Sequence, residues 1–188
     1  MKQARQDYRA EVSALPVGCL HVIDESGIHL GLTRRYGRAA PGIRGEDTVP
    51  FNPGPHVSVI GALSCRGIGA VMSIEGATDG PVFLAYVRQV LAPTLAEGDV
   101  VVMDNLSAHK VAGVREAIEA KGAKVLYLSP YSPDFSPIEP CWSKIKTALR
   151  AAKARTREAL DEALAAALAT ITPLDARNWF TSCGYALH

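Results

Sequence analysis

The run Val100-Val-Val-Met103 constrains this chain more than any other stretch. Four consecutive apolar residues leave no polar side to face water, so a strand there must be covered on both faces. Gly98 leads into the run and Asp104-Asn105 ends it. Covering layers are at hand on either side. Phe83, Tyr86, Val87 and Val90 have helical spacing within Asp79–Leu91, and Val111–Lys121 reads as a second helix closed by Gly122. Such an order requires a mixed central β-sheet flanked by α-helices, in an α/β or α+β layer arrangement.

The remaining segments are organised around that strand. Residues 1–17 read as a short helical or frayed lead-in, and 18–183 as one domain. Cys19–Asp24 and Gly27–Leu32 read as two strands joined by a tight turn at Glu25-Ser26-Gly27. His56–Cys65 and Ala70–Glu75 read as a second pair. The intervening Thr33–Pro55, rich in Arg, Gly and Pro, is too long for an ordinary connection. Lys124–Leu128 is the last strand, and helices over 138–153, 156–171 and 173–181 complete the chain. Parallel neighbours of Val100–Met103 place Asp104 at the mouth of a crevice.

A net charge of +1 excludes a globally basic nucleic-acid binder but not local patches. Two such patches exist: Arg34, Arg35, Arg38 and Arg44, and then Lys144, Lys146, Arg150, Lys153, Arg155 and Arg157. The four cysteines, Cys19, Cys65, Cys141 and Cys183, are scattered without a C-x-x-C pair, which argues for free thiols in a reducing compartment. No apolar stretch approaches the roughly 20 residues that span a bilayer, and no secretory leader is legible in Met1–Glu11. The expectation is a cytoplasmic protein with no membrane partner, in the compartment where a bacterium keeps its DNA.

Three acids carry the chemistry. Asp24 follows His21-Val-Ile, Asp104 follows the apolar run, and Glu139 sits in Ser136-Pro-Ile-Glu-Pro140, where a Pro-rich loop becomes a helix. Adjacent strands ending in aspartates bring carboxylates together, and such a pair needs a cation between them. Oxygen-only ligands favour Mg²⁺ or Mn²⁺ over zinc. Two such ions about 4 Å apart suit phosphodiester chemistry. Taken singly, each aspartate reads equally as a turn cap, and Glu139 as an acid at a helix start. Ile138, Trp142, Ile145 and Leu149 form the apolar face of that helix, with Glu139, Ser143, Lys146 and Arg150 on the neighbouring stripe. Lys146 and Arg150 thereby align with the carboxylate, as a helix gripping a phosphate backbone requires. Tyr131 and Phe135 either stack on bases or pack the loop, and Trp142 reads as core.

Asp24-Glu-Ser-Gly27, then Asp104-Asn105 with His109, then Pro130-Tyr-Ser-Pro-Asp-Phe-Ser-Pro-Ile-Glu139 with Trp142 and Lys146, together resemble the DDE transposases of the mariner superfamily, in the branch of bacterial insertion sequences. Thirty-four residues separate Asp104 from Glu139, the spacing of that branch. The resemblance implies an RNase H-like α/β fold with Asp24, Asp104 and Glu139 as a catalytic, metal-binding triad. It implies Mg²⁺-dependent (or Mn²⁺-dependent) hydrolysis at transposon ends, then attack of the freed 3′-hydroxyl on target DNA, by family habit at TA. Double-stranded DNA is the implied partner, with a homodimer when two ends are paired. The resemblance also implies Arg35 as a DNA contact, and Arg34, Lys146 and Arg150 join it by their charge. Asn105 stands beside the metal ligands, and His109 is either a structural hydrogen-bonder or a second group near the metals. Family members carry an N-terminal helix-turn-helix domain. Only about 17 residues precede the first strand here, so a separate helix-turn-helix polypeptide is an expected partner. A catalytically silent DNA-binding module and a stand-alone RNase H-like nuclease are the competing expectations.

Overall fold

A computed structural model describes residues 2–129 and 132–186. Five strands form one sheet in the order β3-β2-β1-β4-β5. β1 (Leu20–Ile28), β2 (Val57–Ser64) and β3 (Gly67–Glu75) make an antiparallel meander. β4 (Val100–Met103) lies parallel to β1, and β5 (Lys124–Tyr127) parallel to β4. The apolar run at Val100–Met103 therefore occupies an inner position, and all four of its residues are buried.

Alternation along the inner strands divides the core in two. Leu20, Val22, Val100 and Val102 face one layer with Ile138, Trp142, Ile145, Leu149, Leu160 and Phe180. Ile23, Val101 and Met103 face the other with Phe83, Tyr86, Val87 and Ile118. The first layer is built by α1 (Lys2–Ser13), α4 (Ile138–Ala152), α5 (Arg157–Ala169) and α6 (Pro173–Ser182). The second comes from α2 (Gly80–Tyr86) with its continuation to Leu91, and α3 (Val114–Glu119). Each large side chain taken out of water in this way contributes about 1.5–3 kcal/mol before entropy is counted. The helix starts obey local chemistry: Asp79 accepts from the Val82 N–H, and Thr156 from the Ala159 N–H.

Two expectations are corrected. The turn at Glu25-Ser26-Gly27 does not form, because β1 runs unbroken from Leu20 to Ile28 and pairs along its length with β2. Ladder bonds to a long partner outweigh a local turn preference there. Asp24 is consequently inside a strand rather than at its end. The lead-in takes the helical of its two expected forms, with Tyr8 and Val12 of α1 buried in the first core layer. Thr33–Pro55 contains no helix or strand and is largely exposed, Tyr36 and Phe51 included. Its base is closed by the Leu30 N–H donating to the Pro53 carbonyl at 3.1 Å. Arg155 donates to the carbonyls of Leu30 and Leu32, and Lys153 pairs with Asp47, so this segment is tied to the end of α4.

Candidate active site

β1 pairs with β4 through Leu20–Val100, His21–Val101 and Val22–Val102. Continued by two residues, that register sets Asp24 level with Asp104, on the parity of Leu20, Val22, Val100 and Val102. Both aspartates therefore belong to the face covered by α4, and Glu139 lies in the first turn of α4. The three carboxylates line one cleft of ≈ 490 Å³, together with Asn105, Leu128, Ser129, Ser132, Pro133 and Ser136. Among the described residues no three His, Cys, Asp or Glu side chains stand close enough together to hold one metal ion between them.

Each aspartate is held by a different neighbour. Trp142 Nε1 donates to Asp24 Oδ2 at 3.1 Å. The indole fits because Asp24 pairs across the ladder with Gly61, where an added Cβ would stand 3.1 Å from Trp142 Cη2. Asp104 Oδ1 accepts from the Leu106 N–H at 2.9 Å, the Asx turn that the sequence allowed. The same oxygen lies 2.7 Å from Nδ1 of His109, a charge contact off the axis of a full hydrogen bond. Nε2 of that fully buried imidazole is 2.8 Å from Glu25 Oε1. Glu25 sits on the opposite parity from Asp24, on the Phe83 side, and the Phe83 ring lies against the His109 ring, centroids 4.1 Å apart and tilted by 34°. His109 therefore bonds to Glu25 and touches Asp104 as well. Asn105 ties the two strand ends together, its Nδ2 donating to the Leu128 carbonyl at 2.6 Å.

Burial pushes the Asp24 carboxyl up to about 7, helped by Glu139, Glu25 and Asp104 against the opposing Glu25 N–H. Burial also raises Asp104, but His109 and the Leu106 N–H outweigh it and leave that carboxyl below its ordinary value. Burial alone would lower His109; Asp104 and Glu25 reverse the effect and carry it to about 9. Asp24 thus sits in a pocket of uncompensated negative charge with oxygen donors only, a setting that fits a hard divalent cation.

The predicted basic residues separate into two groups. Lys146 and Arg150 line the cleft that continues past Asp24, Glu25 and Glu139. They also line the adjoining groove with Arg34 and Arg35, so these four cations and the carboxylates share one continuous surface. Lys144, Lys153 and Arg157 instead pair with Asp175, Asp47 and Asp161. Phe135 packs, buried against Tyr8; Tyr131 lies outside the described residues. Trp142 is core and site at once. Gly61, Glu25 and the cleft serines 129, 132 and 136 were not legible beforehand. A Glu beside the first Asp was the one available signal.

The chain superimposes on the Mos1 transposase paired-end complex with left transposon end, with a TM-score of 0.70 at 16% identity over 99% of this chain and 62% of that one. A pre-cleavage Mos1 transpososome gives a TM-score of 0.70 at 15% identity over 100% and 64%. The catalytic domain of Mos1 mariner transposase gives 0.65 at 13% identity over 99% and 94%. The chain thus spans about three fifths of the longer structures and nearly all of the catalytic domain, and the shared fold is RNase H-like. No curated protein matches by sequence. The family model of the DDE superfamily endonuclease matches residues 20–161, which include all three acids, and the chain belongs to that family.

Proposed function

We propose that this chain is the catalytic part of a DDE transposase of the bacterial insertion-sequence branch, cutting phosphodiester bonds at transposon ends and joining the freed 3′-hydroxyl to target DNA. One observation carries the reading. Asp24, Asp104 and Glu139, drawn from three separate elements, line a cleft that runs on into Lys146, Arg150, Arg34 and Arg35. Acid beside base in that order suits a scissile phosphate flanked by more backbone phosphates.

In this reading the three carboxylates hold Mg²⁺ or Mn²⁺ as a pair of ions. Divalent ions bound there supply an activated attacking hydroxyl and neutralise charge on the leaving oxygen. Trp142 and His109 keep Asp24 and Asp104 aimed into the cleft. Arg34, Arg35, Lys146 and Arg150 hold backbone phosphates and fix the register of the duplex. Asn105 keeps the ends of β4 and β5 together beneath the site. The partners are double-stranded DNA, a second copy of the chain when two ends are paired, and a helix-turn-helix segment that reads the terminal repeats. The setting is the bacterial cytoplasm, at the nucleoid.

A supercoiled-plasmid nicking assay with Mg²⁺ tests this. Asp104→Asn should lower nicking by about 10²-fold or more, the scale of losing one preorganised electrostatic group. Nicking at the wild-type rate by that variant would sink the site assignment. A wild type that binds DNA without nicking points instead to a silent module. One that nicks but never joins a transposon-end oligonucleotide is a stand-alone nuclease.

A further inference from the structure

The wall of the cleft opposite β1 and β4 is the segment 132–137, and α1 grips it from behind. Ser132, Pro133 and Ser136 line the cleft with Glu139, whereas Asp134 and Phe135, lying between them, are taken up by α1. Arg5 presents a two-pronged fork to Asp134, Nη1 to Oδ1 at 3.0 Å and Nη2 to Oδ2 at 2.6 Å, and Nη1 also donates to Ser132 Oγ at 2.8 Å. The guanidinium lies 4.4 Å from the centre of the Phe135 ring, and that of Arg9 4.8 Å away. Tyr8 stacks on the same ring at 5.6 Å. Tyr185 O–H donates to the Phe135 carbonyl at 2.8 Å, which spends its single proton, so Tyr8 O–H is the donor in the 2.8 Å contact between the two hydroxyls. These contacts of Arg5, Tyr8 and Arg9 thus converge on one turn of 3₁₀ helix and the serine before it, and the Ser136 carbonyl at its end accepts the Glu139 N–H at 3.2 Å.

We propose that Arg5 is a positioning residue for the acidic cleft: α1 holds the turn Pro133–Phe135, and through it the cleft serines and the start of the helix that presents Glu139. This rests on the cleft being the catalytic site. The physical argument is one of loop order. Two prolines within 132–137 limit the backbone bonds the segment can make for itself. Its fixed position must therefore come from outside contacts, and α1 supplies a bidentate, charge-assisted one that specifies both distance and plane. An exposed ion pair contributes little to global stability, so its conspicuous geometry is better explained by alignment than by folding. Misplacement of a positioned group by about 1 Å can cost about 10²-fold in rate.

The test compares wild type, Arg5→Ala, Asp134→Ala and the reversal pair Arg5→Asp with Asp134→Arg, using the full chain. Three quantities are read: amide hydrogen exchange over 132–139, melting temperature, and plasmid nicking with Mg²⁺ alongside DNA affinity. Both alanine variants should exchange about tenfold faster over 132–139, as a local opening made easier by that factor would. Their nicking should fall about tenfold or more with DNA affinity and melting temperature nearly unchanged, and the reversal pair should recover both readouts in part. Unchanged exchange over 132–139 in the alanine variants would overturn the proposal. So would faster exchange with wild-type nicking, or a loss spread evenly over the whole chain, which a merely structural role predicts. If the wild type itself does not nick, the functional reading fails, while the exchange arm still decides whether α1 holds the loop.

Discussion

Asp24 owes its character to two neighbours that have no charge. Gly61, across the ladder, leaves the space that the Trp142 ring fills, and Trp142 returns a single hydrogen bond to the carboxylate. Burial, with three nearby acids, outweighs the Glu25 N–H, and the carboxyl stands at about 7 as a result. Such a group accepts a cation readily because the cation relieves both burdens. Lys146 works at the other end of the same surface. Among the described residues it makes no hydrogen bond or ion pair, in contrast to Lys144 and Lys153 on the same helix or at its end. Lys146→Ala should therefore weaken DNA binding about equally for all sequences and reduce the slope of log K against log salt by about 1, the signature of one lost phosphate contact. Titrations at several salt concentrations measure this, and an unchanged slope would mean that Lys146 is only solvated.

At the scale of elements, α4 matters most, since it carries Glu139, Trp142, Lys146 and Arg150. Its orientation is set by α6 as well as by the sheet. Asp175 closes a capping box with Thr172 at the start of α6 and binds Lys144 of α4 at 2.8 Å. Lys144, foremost, and then the Thr172 N–H and hydroxyl hold the Asp175 carboxyl at about 2, below its ordinary 3.8. A carboxyl depressed in the folded state stabilises above its unfolded value and loses that contribution as pH falls through the folded one. Thermal melts of wild type and Asp175→Asn should accordingly differ at pH 5 and converge between pH 4 and 2. A gap that stays constant down to pH 2 would remove Asp175 from the account. Local signals foretold α4, α5 and α6 closely, because caps and apolar stripes are written within each helix. They misread β1, where Glu25-Ser26-Gly27 has turn chemistry yet is held extended by seven cross-strand pairs from Val22 to Ile28.

For the whole molecule, the sheet separates two cores and leaves the acids at the edge of one of them. A folded chain that gathers carboxylates there stores repulsion that a bound cation releases. Mg²⁺ should stabilise the fold by about 2.7 kcal/mol at a hundredfold excess over its Kd. That corresponds to a rise of about 5–10 °C in melting temperature for a chain of this size. Scanning calorimetry with and without Mg²⁺ checks it, and Asp104→Asn should lose most of the rise. Equal shifts in both proteins would place the ion elsewhere.

What the amino-acid order determined by itself was the main helices and most of the strands, the two-sided burial of Val100–Met103, and the three acids with the motifs around them. Those are local facts, carried by side-chain periodicity and by residues within a turn or two of each other. Tertiary structure alone decided that Asp24 comes level with Asp104 and that Gly61 admits Trp142. It alone set His109 between Asp104 and Glu25, and Arg5 on Asp134. The last two join residues 84 and 129 positions apart, and Trp142 meets Asp24 across 118. Strand register and layer packing create such meetings, and they are properties of the assembled sheet that no short stretch of chain contains.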